Sequence, residues 1–244
     1  MASPLSILDY QRPVEFRIGD VVVRSWNVLL RHFPTFCLLT GAALLPQFLL
    51  LSGALRVSQG VVALISFLTQ IVLATFANAI VVFAAFQDLR GRPVSAAESI
   101  SRGLARFLPA IAISILSGVI MVIGFLILVV PGLIAVAALS VAIPVCVVER
   151  GGPIGSLSRS AELTRGYWWH IIGVYVALGI VEWVVTLSIR AAIPAEPHLA
   201  ATALGWLWTV LHTAYSSVFA AMLYHDLRAS KEGIGIDEIA AVFD

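Results

Sequence analysis

One uncharged stretch decides the class of this protein: FLPAIAISILSGVIMVIGFLILVVPGLIAVAALSVAIPVCVV, residues 107–148. As a single helix its 42 residues would extend about 63 Å, twice the roughly 30 Å hydrocarbon thickness of a bilayer. Because proline interrupts helices and a following glycine favours a turn, Pro131-Gly132 near the middle predicts a turn between two membrane spans. The stretch therefore predicts a transmembrane hairpin.

The rest of the chain has the same character. Of its 244 residues, 60% are hydrophobic and 12% are charged, whereas soluble proteins have about 25% charged residues. Long continuous apolar runs indicate helices, since barrel strands alternate in polarity. We predict an all-α integral membrane protein with six transmembrane helices, near residues 34–55, 61–86, 107–129, 132–148, 168–190 and 199–224. The membrane domain would cover residues 17–228, between short cytoplasmic segments at 1–16 and 229–244.

The basic residues predict the orientation of these spans. If the six spans are correct, 13 of the 15 Lys and Arg residues flank them on one side, and only Arg56 and Arg190 lie on the other. Cytoplasmic flanks retain Lys and Arg, so both termini should be cytoplasmic. The net charge of +1 provides no basic surplus that would indicate a nucleic acid partner.

Each basic connection also contains an amphipathic segment before the next span. These segments carry the arginines that we predict to contact lipid headgroups: Arg24 and Arg31 in the first, Arg102 and Arg106 in the second, and Arg159 and Arg165 in the third. Their polar and apolar residues separate at helical spacing. We therefore expect three helices in the inner interface, with apolar sides in the membrane and arginines near lipid phosphates.

The second, fourth and sixth spans end alike, in Gln87-Asp88, Val148-Glu149 and His225-Asp226. The chain can be interpreted as three parallel repeats of an interface helix plus a transmembrane hairpin. The alternative is that the positive-inside rule by itself places a basic amphipathic connection before each hairpin.

Four motifs carry a resemblance to a known family. They are Pro131-Gly132, VERGGP at residues 148–153, SLSRSAELTRGYWW at 156–169, and Asp226-Leu227-Arg228 with Lys231-Glu232-Gly233. In order and spacing they resemble the glycerophosphoryl diester phosphodiesterase membrane domain family, over about residues 16–237. The resemblance implies a helical domain of the bacterial inner membrane, which in that family is sometimes fused to a catalytic barrel. Such a barrel needs about 250 residues, which the six spans do not leave, so we expect no phosphodiesterase activity.

Two polar residues within the predicted spans are candidate site residues, Glu182 and His212. A carboxylate in hydrocarbon is costly and normally faces the bundle interior or water. Glu182 would therefore either line a proton or ligand path or bond structurally to a Thr, Trp or Arg neighbour. The helical rise places it level with residues 206–209, out of direct contact with His212, which is interpreted first as a packing residue. Gln47 and Gln70 are expected to form hydrogen bonds between helices.

Motifs for catalysis, cofactors or metal ions are absent from the sequence, so we expect neither an enzyme nor a cofactor. The leading hypothesis is a noncatalytic scaffold or regulatory membrane domain. Its arginine-rich inner face would engage membrane lipids, a protein partner or a second copy of the chain. The alternative is a small-solute or lipid transporter with Glu182 and His212 along the path.

The basic asymmetry predicts the outcome of topology mapping. Reporters fused after Arg56 and at Glu196 should be found outside the cytoplasm, and reporters after Arg92, Gly152 and Asp244 inside it. Paired phosphatase and fluorescent-protein fusions measure this directly. An external C-terminal reporter would contradict the six-span topology.

Overall fold

The computed structural model describes residues 16–52, 59–193 and 198–232. Within these ranges the chain is helical and contains no strand, which confirms the all-α prediction. The helices are α1 Ile18–Arg31, α2 Phe33–Leu51, α3 Gln59–Leu89, α4 Ala96–Ala105, α5 Phe107–Ile127, α6 Val129–Leu139, α7 Ala142–Glu149, α8 Pro153–Thr164, α9 Trp168–Ala192 and α10 His198–Glu232. Most of the two predicted terminal segments lies outside the described residues.

Five of the described segments are long and apolar enough to cross a membrane: Phe33–Leu51, Leu68–Leu89, Phe107–Ile127, Val129–Glu149 and Trp168–Ala192. They correspond to the first five predicted spans. The sixth predicted span lies in α10, which is long enough but more polar, with Thr209, His212 and Thr213 near its middle. Since α10 packs against six neighbouring helices, α1, α2, α3, α7, α8 and α9, protein rather than lipid surrounds much of it. Its role as a sixth span stays a prediction.

The predicted turn at Pro131-Gly132 is wrong by three residues. The chain reverses at Leu128, which has an extended backbone, and Pro131 lies in the first turn of α6. A proline fits there because the first turn of a helix has no internal acceptor for its backbone N–H groups. Gly132 serves close packing: a Cβ atom there would lie 2.4 Å from the Phe125 ring. The two residues therefore allow a tight hairpin without forming the turn.

The fourth predicted span is discontinuous. α6 ends at Leu139 and α7 begins at Ala142, with Ser140 and Val141 between them. The break frees a carbonyl at Ala138, which accepts hydrogen bonds from Ser160 (2.7 Å) and Thr164 (3.5 Å) of α8. Because an unpaired buried carbonyl is costly, these two hydroxyls compensate for the interruption. α8 therefore packs into the bundle as well as lying at its inner end.

The predicted order of one short helix and two long segments recurs three times. α1 precedes α2 and α3, α4 precedes α5 and α6–α7, and α8 precedes α9 and α10. α4 packs against α3, α8 packs against α7, and α1 packs against α10. Each short helix thus contacts the last segment of the preceding unit, and α1 closes the ring by contacting the last helix.

Ser95 begins α4 with a side-chain cap on the Glu98 amide, as its Ser-x-x-Glu sequence predicts.

The tightest packing lies toward the C-terminal end of the last long segment of each unit. Residues 79–86 of α3, 145–148 of α7 and 218–224 of α10 are all at most 5% exposed. Exposed apolar surfaces lie mainly on α5 and α9, where Leu126 is 80% exposed and Trp183 67% exposed. This end of the bundle is therefore densely packed.

The α5–α6 hairpin provides a matched test of this packing. A Cβ atom on Gly124 would lie 3.0 Å from the Gly132 Cα, whereas one on Gly118 in the same helix would meet nothing within 4 Å. Gly124→Ala should therefore destabilise the protein by about 1–3 kcal/mol, because backbone cannot move aside as a side chain can. Gly118→Ala should be neutral or slightly stabilising, as alanine usually is in a helix. Melting temperatures in detergent measure both, and equal values would contradict the close approach.

Candidate functional site

Glu182 of α9 is anchored to the neighbouring helix α10. Its Oε2 accepts a 2.5 Å hydrogen bond from Trp208 Nε1, and its Oε1 accepts a 3.4 Å bond from Thr186 Oγ1 one turn along α9. The Trp208 contact agrees with the prediction that Glu182 lies at the same depth in the bundle as residues 206–209. The side chain remains 37% exposed, so two hydrogen bonds leave much of the carboxylate accessible.

His212 lies closer to Glu182 than the sequence predicted. Its Nδ1 is 3.8 Å from Glu182 Oε2, which is within ion-pair distance but beyond a hydrogen bond. The expectation from helical rise was wrong because it compared backbone levels. Helical side chains lean toward the N-terminus of their own helix, and in the antiparallel α9 and α10 this brings these two toward each other. The other ring nitrogen, Nε2, is buried without a partner.

A cavity of about 380 Å³ adjoins this carboxylate, between α2, α3, α9 and α10. Its polar lining consists of Gln47, Gln70, Glu182, Thr186, Arg190, Thr202 and Thr209. The expected hydrogen bonds between helices are not all formed: both glutamines line the cavity, and Gln47 Oε1 is buried without a partner.

The cavity carries its two formal charges at different depths. Glu182 lies ten residues before the end of α9 at Ala192, or about 15 Å along the helix. Arg190 lies in the last turn of the same helix, where a cation is favoured by the helix dipole. The two backbone positions are thus about 12 Å apart, with the acidic group deeper than the basic one.

Three of the six arginines predicted to contact lipid are paired with carboxylates of the protein. Arg24 forms an ion pair with Asp226, and Arg31 lies 3.6 Å from Asp88. Arg159 contacts Glu149 at 3.3 Å and also pairs with Glu232 and Glu162. In the described ranges, Arg102, Arg106 and Arg165 have no carboxylate partner. Asp226, Asp88 and Glu232 come from helices distant in sequence from these arginines, whereas Glu149 lies ten residues before Arg159 and Glu162 lies in the same helix.

Arg159 belongs to a hydrogen-bonded network that sequence reasoning missed. Tyr224 donates to Glu149 at 2.9 Å and accepts from Arg228 at 3.1 Å. Lys231 donates to the carbonyl groups of Glu162 and Arg165 at the end of α8. Desolvation, assisted by two nearby arginines, lowers the pKa of Lys231. The sequence signal was that Glu149, Arg159, Arg228 and Lys231 lie in the motifs that carry the family resemblance.

Comparison of the chain with protein-family models, curated proteins and solved structures finds no match. The resemblance to the glycerophosphoryl diester phosphodiesterase membrane domain family stays a prediction. The structure supports a more general class: an all-α protein with several helices of membrane-spanning character.

Proposed function

We propose that this chain is a noncatalytic domain of the bacterial inner membrane that acts as a scaffold or regulator by binding anionic lipid at its cytoplasmic face. The observation that carries the proposal is the surface of the three short helices. Each places exposed apolar side chains beside basic residues at one end of the bundle. This combination is typical of helices in a membrane interface.

The apolar part of that surface is substantial. On α1, Val23 is 59% exposed and Leu30 is 52% exposed; on α4, Leu104 is 61% exposed; and on α8, Ile154 is 76% exposed. Such side chains would be unfavourable in water. They are accommodated if the short helices lie at the boundary between lipid headgroups and acyl chains.

The basic part of this surface consists of three of the six arginines that the sequence predicted to contact lipid. Arg102 and Arg106 flank the exposed Leu104 and have no carboxylate partner in the described ranges, and the same is true of Arg165 at the end of α8. A basic residue near an anionic leaflet contributes about 1 kcal/mol. These three are therefore the arginines best able to bind lipid phosphate, whereas Arg159 is already surrounded by carboxylates.

A charge-matched pair of variants tests the lipid proposal. Replacing both Arg102 and Arg106 with Gln should weaken retention of phosphatidylglycerol about 10- to 30-fold, since two charges of about 1 kcal/mol each are lost. Replacing both with Lys should preserve most of it. Native mass spectrometry with defined lipid mixtures measures the retained lipid. Equal retention by the Gln and Lys variants would refute this role for α4 and favour a protein partner or a second copy at the same face.

A second candidate function, a small-solute or lipid transporter, is favoured by two observations. The Glu182 cavity is one. The other is the break between α6 and α7, beside a further cavity of about 300 Å³ lined by Asn78, Ser117 and Tyr175 among others. Discontinuous helices next to polar cavities are common at the binding sites of transporters.

Two substitutions of Glu182 separate transport from structure. Glu182→Gln keeps an acceptor for Trp208 but removes the charge, so a transport path would lose activity with little change in stability. Glu182→Leu leaves the Trp208 N–H unpaired and should destabilise the fold by about 1–3 kcal/mol in either case. Uptake into proteoliposomes and melting temperature in detergent are the two measurements. Unaltered uptake by a well-folded Gln variant would exclude Glu182 from the transport path, and no uptake by the unaltered protein would eliminate the transport proposal.

A further inference from the structure

A groove runs along one side of the bundle between α1 and α9. Its volume is about 430 Å³, and it is lined by Ile18 and Val22 of α1, by one face of α9 from Trp169 to Val181, and by Tyr215 of α10. α1 and α9 both pack against α10 rather than closely against each other. The described side chains therefore leave this space unfilled, and a Cβ atom on Gly173 would meet nothing within 4 Å.

The depth of the groove matches one leaflet of a bilayer. α9 is one of the helices long and apolar enough to span a membrane, and the groove begins in its first turn. Val181, the last residue of α9 in the lining, lies 11 residues beyond His170, or about 16 Å along the helix. Half the hydrocarbon thickness is about 15 Å. The groove therefore extends from a membrane boundary to near the midplane, which is the depth that an acyl chain of one leaflet occupies.

The mouth of the groove carries basic and aromatic side chains. His170 is exposed there, next to Trp169, which is 69% exposed. The rings of Phe16 and Tyr167 lie 4.4 Å apart, so Arg17 lies at the same end of the groove. Arg17 is exposed and has no carboxylate partner in the described ranges. An imidazole and a guanidinium are thus available where the phosphate of a lipid would lie.

The described acidic residues near this mouth do not face the groove. None of them belongs to its lining. Asp20 of α1 follows Ile18 by two residues, about 200° around the helix, which places it on the opposite side of α1. Glu162 and Glu232 pair with Arg159 instead. The charges around the mouth therefore favour an anionic group.

We infer that the groove holds one phospholipid, with an acyl chain against α9 and the phosphate at Arg17 and His170. Gly173 and Ala177, one turn apart in the lining, leave room for the chain. Arg17 is suited to a bidentate contact with phosphate, and an imidazole has an N–H to donate in either protonation state. A net anionic headgroup such as phosphatidylglycerol should therefore bind better than zwitterionic phosphatidylcholine.

The inference deepens the proposed function by adding a lipid site on other helices. It rests on that function only for the class of ligand, since Arg102 and Arg106 of α4 take no part. α1 belongs to the first unit and α9 to the third, so the bound lipid fills the seam where these units meet. We expect this lipid to survive purification in detergent, unlike lipid on the exposed apolar face of α5.

Two glycines of α9 provide a matched test of the location. A Cβ atom on either Gly173 or Gly179 would meet nothing within 4 Å, but only Gly173 lines the groove. Gly173→Leu fills the groove, whereas Gly179→Leu adds the same side chain elsewhere on α9. After repurification in detergent, native mass spectrometry should find one phosphatidylglycerol fewer on Gly173→Leu than on the unaltered protein or Gly179→Leu. Equal retention by the two variants would overturn the inference.

A second filling variant and the headgroup variants complete this test. Ala177→Leu should lose the same lipid as Gly173→Leu, and melting temperatures verify that both are folded. Arg17→Gln and His170→Gln should each weaken retention of phosphatidylglycerol about fivefold, whereas Arg17→Lys should preserve most of it. Equal retention of phosphatidylglycerol and phosphatidylcholine by the unaltered protein would overturn the headgroup assignment.

The lipid site on α4 is tested separately by the same measurement. Replacing Arg102 and Arg106 with Gln should leave the groove lipid in place. A loss only in Gly173→Leu would therefore refute the α4 site alone, and a loss only in the Arg102 and Arg106 variant would refute the groove alone.

A photoreactive lipid identifies the occupant of the groove. Phosphatidylglycerol with a diazirine in its acyl chain should label α1 and α9 beside the groove in the repurified protein. Labelling of α5 and α9 in proportion to their exposed surface would indicate bulk lipid only and overturn the inference. Two rival occupants would also overturn it: stronger labelling after deletion of residues 1–14 would assign the groove to the N-terminal segment, and loss of a dimer in Gly173→Leu would assign it to a second copy.

Discussion

The described bundle depends on carboxylates near the C-terminal ends of the last long segment of each unit. Asp88, Glu149 and Asp226 each end an apolar segment, and each pairs with a basic residue of a short helix. A carboxylate at such a boundary would otherwise be only partly hydrated. The pairing satisfies the acid and fixes the short helix against the bundle. Glu149 shows this most fully, because it joins Tyr224 of α10 and Arg159 of α8.

Because of these ion pairs, the arginines of the short helices are not equivalent. The positive-inside rule accounts for their side of the membrane, but it does not distinguish an arginine that binds lipid from one that binds the protein. Arg159 is mainly a structural residue, whereas Arg102 and Arg106 remain available at the surface of α4. Arginines that look equivalent in the sequence therefore divide into those paired within the protein and those that the lipid proposal requires to be unpaired.

The two ends of the bundle differ in how densely their side chains pack. One end is filled by apolar residues of α3, α7 and α10 that range from alanines to Phe86, Phe219 and Tyr224. Toward the other end, α9 contacts its neighbours less closely, and polar residues of four helices surround open space beside Glu182. The described bundle is therefore densely packed at one end and contains a polar cavity toward the other.

The sequence by itself determined the helical membrane class, five of the predicted spans within a few residues, and the three short helices. These features follow from continuous apolar length and local amphipathic spacing, which hydrocarbon imposes on any chain. It also placed Glu182 level with Trp208, because helical rise is nearly constant.

Only the tertiary structure decided which arginines are paired, where the α5–α6 turn lies, and that His212 approaches Glu182. The tertiary structure also places Gln47 in the lining of a cavity, with its Oε1 unpaired. The arginine pairs and the His212 approach depend on side-chain direction or on contact between helices, and the turn depends on how closely α5 and α6 pack at Gly124 and Gly132.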